Sequence, residues 1–200
     1  MSGSISRGVL LSRGARLGAA ALAGGLAAGP LAEGAAAALP SGDLAYARLL
    51  VGAELLAADF YGQALAARNG APTVLRYLRR AAFNEQEHYQ SVAGILSGSG
   101  VTPAVSGDIT FSYPTGTFAT QKSIVAFATQ LETAVLGAYL GAVGNIQTTS
   151  LLTGLAEIAA CEAQHVSYFT VAGGGRAYGQ SFPPALTISA ASAIFDNYTS

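Results

Sequence analysis

One cysteine, Cys161, and two histidines, His88 and His165, occur in 200 residues. A single thiol excludes an internal disulfide, so no covalent framework holds this fold. Charge is scarce too: 10% of residues are charged, 10 basic against 11 acidic, for a formal net charge of −1. Such a balance offers no basic stripe and gives no reason to expect a nucleic-acid partner. Low charge combined with 51% hydrophobic residues and a mean hydropathy of +0.41 excludes a disordered polar chain. The apolar excess is mostly Ala and Gly, and no stretch reads as a Leu/Ile/Phe-rich membrane span. Strand signals are thin: residues 101–113 hold some Val, Ile, Thr and Phe, but Pro103 and Gly107 divide them.

The first 38 residues read as an export signal. Arg7, Arg13 and Arg16 precede any acid, Leu17 to Ala32 carry no charge, and Ala35 to Ala38 supply small residues for cleavage near Ala37 to Leu39. The stretch from Ser6 to Leu11 resembles the twin-arginine export motif, with Gly8 where the second arginine belongs. The apolar run is about 16 residues against roughly 20 for a span, and Pro30 interrupts its end, so no stable membrane anchor is expected. An uncleaved amphipathic N-terminus or a transit peptide is the alternative. Cleavage would remove three arginines and Glu33 and leave 7 basic and 10 acidic side chains, a net charge of −3. The expected location is periplasmic or extracellular.

The remainder divides into a helical domain over 39–175 and a tail over 176–200. Apolar residues recur at helical spacing from Asp43 to Arg68, with N-cap chemistry in Ser41, Gly42 and Asp43 and a stop at Asn69 and Gly70. Further helices are predicted over Pro72 to Leu96, Thr120 to Val143 and Thr149 to Val171, the last ending at Gly173, Gly174 and Gly175. Ala185 to Phe195 predicts a short fifth helix or a docked tail. Short links join helices one to two and three to four, so each pair predicts an antiparallel hairpin. About twenty residues separate the pairs. A 20-residue helix is about 30 Å long, and a connection of that length can cross from one end of a bundle to the other. The expected fold is all-α, two hairpins joined by a long crossover.

Each histidine follows a glutamate by three positions: Glu85 and His88, Glu162 and His165. With 7 glutamates in the chain, chance places both on the order of 10⁻³ of the time; matches of this kind are counted rather than eyeballed. On a helix, positions i and i+3 share a face, so each pair can aim a carboxylate and an imidazole at one point. The preceding helix of each hairpin carries a glutamate expected to face inward, Glu54 and Glu132, and each is followed seven residues later by a tyrosine, Tyr61 and Tyr139. The halves thus repeat as Glu, Tyr at +7, then Glu-x-x-His. Four carboxylates inside an Ala/Leu/Val-lined bundle would repel one another and lose their hydration. Two divalent cations offset that cost, and mixed carboxylate and imidazole donors suit iron or manganese.

With these residues in place, the chain resembles the ferritin-like superfamily, and within it the exported bacterial ferritin-like-domain proteins of the desiccation-related type, over residues 42–172. The pattern of one Glu, Glu-x-x-His, one Glu, Glu-x-x-His is met by Glu54, Glu85, His88, Glu132, Glu162 and His165. The resemblance implies that Glu85 and Glu162 bridge two metals, that Glu54 and Glu132 are terminal ligands, and that each histidine binds one metal. It also implies two Fe or Mn without an organic cofactor, and oxidation of Fe(II) by O₂ or peroxide or a related redox reaction.

Bland readings stand beside these. The same bundle would serve a non-catalytic structural or stress-protective protein, its polar core held by hydrogen bonds or an inert metal. Tyr61 and Tyr139 would be hydrogen-bond donors behind the ligands, redox-active phenols, or packing residues with a satisfied hydroxyl. Glu87, about 200° around the helix from Glu85, is expected in solvent, and Glu157, roughly 140° from Glu162, is a weaker third acid. Cys161, turned about 100° from Glu162, is expected to pack as a small apolar residue. Arg76, Arg79 and Arg80 read as a solvated face. The outer faces are compatible with a monomer or an oligomer.

Overall fold

The computed structural model describes residues 38–177 and 179–199; the predicted leader through residue 37 lies outside the described residues. Four long helices form the body: α1 (Ser41–Ala67), α2 (Pro72–Gly98), α3 (Gln121–Asn145) and α4 (Leu152–Ala172). A short α5 (Ile188–Phe195) follows. The expected all-helical bundle of two hairpins is what the chain forms, and each predicted helix is present within a few residues of its expected ends.

Local chemistry explains the ends. Helix α1 stops where Arg68 turns into the left-handed region at φ 56°, and Pro72 opens α2 at a position where its missing N–H costs nothing. Helix α3 starts on a reciprocal cap: Ser123 N–H donates to Thr120 Oγ1 and Thr120 N–H donates to Ser123 Oγ, both at 3.1 Å. Helix α4 enters through a 3₁₀ turn at Thr149–Leu151 and ends before Gly174, at φ 88°.

One capping expectation is corrected. Helix α1 begins after Pro40 without any side-chain cap. Asp43 is buried instead, and its two oxygens accept from the backbone N–H of Gln147 at 3.0 Å and Thr148 at 2.9 Å. The acid therefore satisfies the loop between α3 and α4. Burial opposes its charge, but the side-chain and backbone donors of Thr148 and Gln147 outweigh it and hold the carboxyl below its ordinary range. This contact also ties the start of α1 to the end of α3.

At the opposite end, Asn69 Nδ2 donates to Phe118 O at 2.9 Å and Ala71 N–H to Gln121 Oε1 at 2.7 Å. Helix α3 thus starts beside the turn between α1 and α2 and ends beside the start of α1. The segment 99–120 runs the length of the bundle between these points, pinned by Tyr89 Oη on Ala104 O at 2.9 Å and Tyr113 Oη on Asp59 Oδ1 at 2.8 Å. Consequently α2 and α3 run parallel, while α1 and α4 run opposite to them.

Helices α1 and α3 are long and apolar enough to cross a membrane by length and composition, with mean hydropathy of 1.2 and 1.3. Most of that apolar surface is buried within the bundle, where Leu50, Leu56, Phe60, Ile124, Val135 and Ala138 are core residues. The tail adds a lid. Leu186 N–H donates to Gly137 O at 2.8 Å, and a Cβ at Gly141 would lie 1.8 Å from Leu186 O. Two glycines one turn apart thereby let the tail backbone lie against α3, after which α5 packs on α1 and α3. Among the described residues, the isolated β-bridge is Phe111 with Thr199.

Candidate metal centre

Each long helix contributes to one buried cluster. Glu54 comes from α1, Glu85 and His88 from α2, Glu132 from α3, Glu162 and His165 from α4. The four glutamates are fully buried, His165 nearly so, and His88 retains 8% exposure. All six predicted residues meet. Glu87 and Glu157 are exposed, as are Arg76, Arg79 and Arg80, so no third acid joins from α4.

The donor atoms fall into two groups. Glu54, Glu85, His88 and Glu162 form one, Glu85, Glu132, Glu162 and His165 the other, with donor atoms in each within 4.8 Å of one another. Glu85 and Glu162 belong to both. Nδ1 of His88 lies 2.8 Å from Glu162 Oε1, 3.3 Å from Glu85 Oε2 and 3.8 Å from Glu54 Oε2. Nδ1 of His165 lies 3.0 Å from Glu85 Oε1, 3.3 Å from Glu162 Oε2 and 3.5 Å from Glu132 Oε1.

Of these contacts, His88 Nδ1 with Glu85 Oε2 is a hydrogen bond, and most of the other facing atoms have none. Glu54 Oε2, Glu85 Oε1, Glu132 Oε2, both oxygens of Glu162 and His165 Nδ1 are buried without a hydrogen-bond partner. Native interiors satisfy nearly all such atoms, and each orphan costs about 1–3 kcal/mol or more when charged. Six together, aimed inward from four helices, form groups that could hold cations. Oxygen and imidazole donors, without thiolate among them, could hold metal ions.

The tyrosines hold the outer carboxylates, crosswise between hairpins. Tyr61 on α1 donates to Glu132 Oε1 on α3, and Tyr139 on α3 donates to Glu54 Oε1 on α1. Each bond occupies one oxygen of its glutamate and leaves Oε2 for a cation. Both phenols are fully buried, and burial together with the facing Glu54 carboxylate pushes the Tyr139 hydroxyl well above its ordinary pKa.

Electrostatics separates the acids. Burial, with repulsion from Glu85 and Glu162, pushes Glu54 well above the carboxylate range, and burial with repulsion from Glu162 does the same to Glu132. Burial opposes charge on Glu162 as well, but His165 and His88 bring it down to about 2. Burial opposes charge on His88, yet Cys161, Glu162 and Glu85 push it up to about 12, and His165 also moves upward. Without cations, protons on the imidazoles balance the acids in part.

Cys161 is the second correction. It is half-buried with Sγ 3.8 Å from His165 Nε2, and it accepts from Asn84 Nδ2 at 3.3 Å. Its angle to Glu162 is the wrong reference: His165 stands four residues on, along the same helix face. Burial raises the thiol, but His165 and His88 outweigh that and bring it down to about 7. Asn84 escaped sequence reasoning altogether. The available signal was the repeat itself, since Asn84 precedes Glu85 as Cys161 precedes Glu162.

A family model for the ferritin-like domain matches residues 42–174. The chain belongs to the ferritin-like domain family. A comparison with curated proteins finds no match. The match spans α1 to α4 and takes in all six residues of the cluster, so the buried Glu/His groups of this ferritin-like domain are compatible with metal binding on both counts.

Proposed function

We propose that this is an exported ferritin-like protein that holds two iron or manganese ions and performs Fe(II)-oxidase-type redox chemistry with O₂ or peroxide. One observation carries the reading: two donor groups share Glu85 and Glu162, and orphaned buried atoms line them. Glu85 and Glu162 would bridge, Glu54 and His88 would complete one position, Glu132 and His165 the other. The bound pair would supply redox electrons and a Lewis-acidic site for an oxygen species.

The chain's own residues supply the rest. Tyr61 and Tyr139 fix the outer glutamates so that one oxygen of each faces the centre. Leu50, Leu56, Leu131 and Val135, with the other buried apolar residues, exclude bulk water and keep the carboxylate charge strong. His88, the most exposed residue of the cluster, marks the side from which small reactants approach. Export is supported by the residue pattern of positions 1–38.

Elemental analysis of purified protein should give two iron or manganese per chain, and Glu85→Ala or Glu162→Ala should remove most of it. Unchanged metal content in both variants refutes the assignment. Oxygen uptake on adding Fe(II) then separates turnover from an inert bound metal.

A further inference from the structure

The two halves of the cluster are not equivalent, and the difference lies behind the histidines. Asn84 on α2 reaches across to α4, with Nδ2 3.1 Å from His165 Nε2 and 3.3 Å from Cys161 Sγ. Tyr77 packs edge-on against the same imidazole at 5.9 Å. His165 is thereby gripped at its remote nitrogen and along its ring, and its side chain is 1% exposed. The His88 side chain is 10% exposed, and Asn84, four residues before it on the same helix, spends its amide on the other histidine.

We propose that Asn84 is a positioning residue, which orients His165 so that Nδ1 faces the metal position shared with Glu132, Glu85 and Glu162. This rests on the metal-binding reading above. An imidazole that gives its Nδ1 lone pair to a cation carries its proton on Nε2, and then needs an acceptor there. An asparagine amide has a donor end and an acceptor end related by a half-turn. With Oδ1 turned toward the ring, Asn84 accepts from the Nε2–H that a metal-bound imidazole carries. A carboxylate at position 84 would accept the same bond, and a leucine would not.

Anaerobic Co(II) titration of the full chain tests this, following the visible ligand-field bands and the bound metal by equilibrium dialysis. Loss of such an orienting partner typically weakens a metal site about 10–100-fold. Asn84→Leu should weaken one of two Co(II) sites by that factor and shift its bands while sparing the other. Asn84→Asp should bind at least as tightly as the unmodified chain. Both variants should keep the helical far-UV spectrum. Two sites in Asn84→Leu with unaltered affinity and bands would overturn the role of Asn84, as would an Asn84→Asp protein as weak as Asn84→Leu. Failure of the unmodified chain to bind Co(II), Fe(II) or Mn(II) would overturn the metal reading itself.

Discussion

Replacing Tyr139 by Phe in the metal-free protein removes a hydroxyl and leaves a second oxygen of a fully buried carboxyl without a partner, since Glu54 Oε2 is already orphaned. The cost is that of stranding a buried acceptor, about 1–3 kcal/mol. In a domain of this size about 1 kcal/mol corresponds to roughly 2–4 °C in Tm. Pairing the change with Glu54→Leu removes both polar partners at once, with similar volume and helix propensity. Replacing both members of a buried polar pair by apolar groups is near neutral or stabilising. In EDTA the double variant should therefore match or exceed the unmodified protein, while Tyr139→Phe falls below it. Added metal reverses the ranking. A ligand at about 100 times its Kd stabilises by about 2.7 kcal/mol per site, and the double variant should lose one site's share. Urea denaturation with EDTA and with Co(II), read as a double-mutant cycle, measures both terms. A double variant as unstable in EDTA as Tyr139→Phe, or one that keeps the full gain from metal, would refute the reasoning.

Two further outcomes follow from other contacts. Gly141→Ala places a Cβ 1.8 Å from Leu186 O and should detach the tail, seen as faster hydrogen exchange in α5, whereas Gly62→Ala, with open space around its Cβ, should stabilise by about 0.5–1 kcal/mol; equal effects would contradict the docking. Metal uptake should tighten between about pH 6 and pH 8 with proton release, because a cation must displace protons from His88, at about 12, and from the raised His165. The opposite sign applies to the metal-free fold: the stability from the His88 proton is complete below the unfolded pKa of 6.5 and disappears as pH climbs through 12. Affinity unchanged across the interval, followed with a pH indicator in weak buffer, would contradict this protonation state.

Much of the architecture was open to reading along the chain. The 3.6-residue period, Pro72 at a helix start and the glycines after α4 mark elements whose causes lie within a few neighbouring residues, and the long link at 99–120 constrains how two hairpins join. Glu54, Glu85, His88, Glu132, Glu162 and His165 were legible for the same reason, because spacing on one helix fixes which side chains share its face. Spacing says nothing of what stands opposite. That Tyr61 turns to Glu132 and Tyr139 to Glu54, that Asp43 caps a loop 104 residues away, and that Asn84 reaches His165 rather than His88 depend on the axial offset and rotation of one helix against another. So does the seat of Leu186 against Gly137 and Gly141. Those offsets are set by how whole faces of side chains interlock, a sum over many weak contacts, and they exist only once the four helices have met.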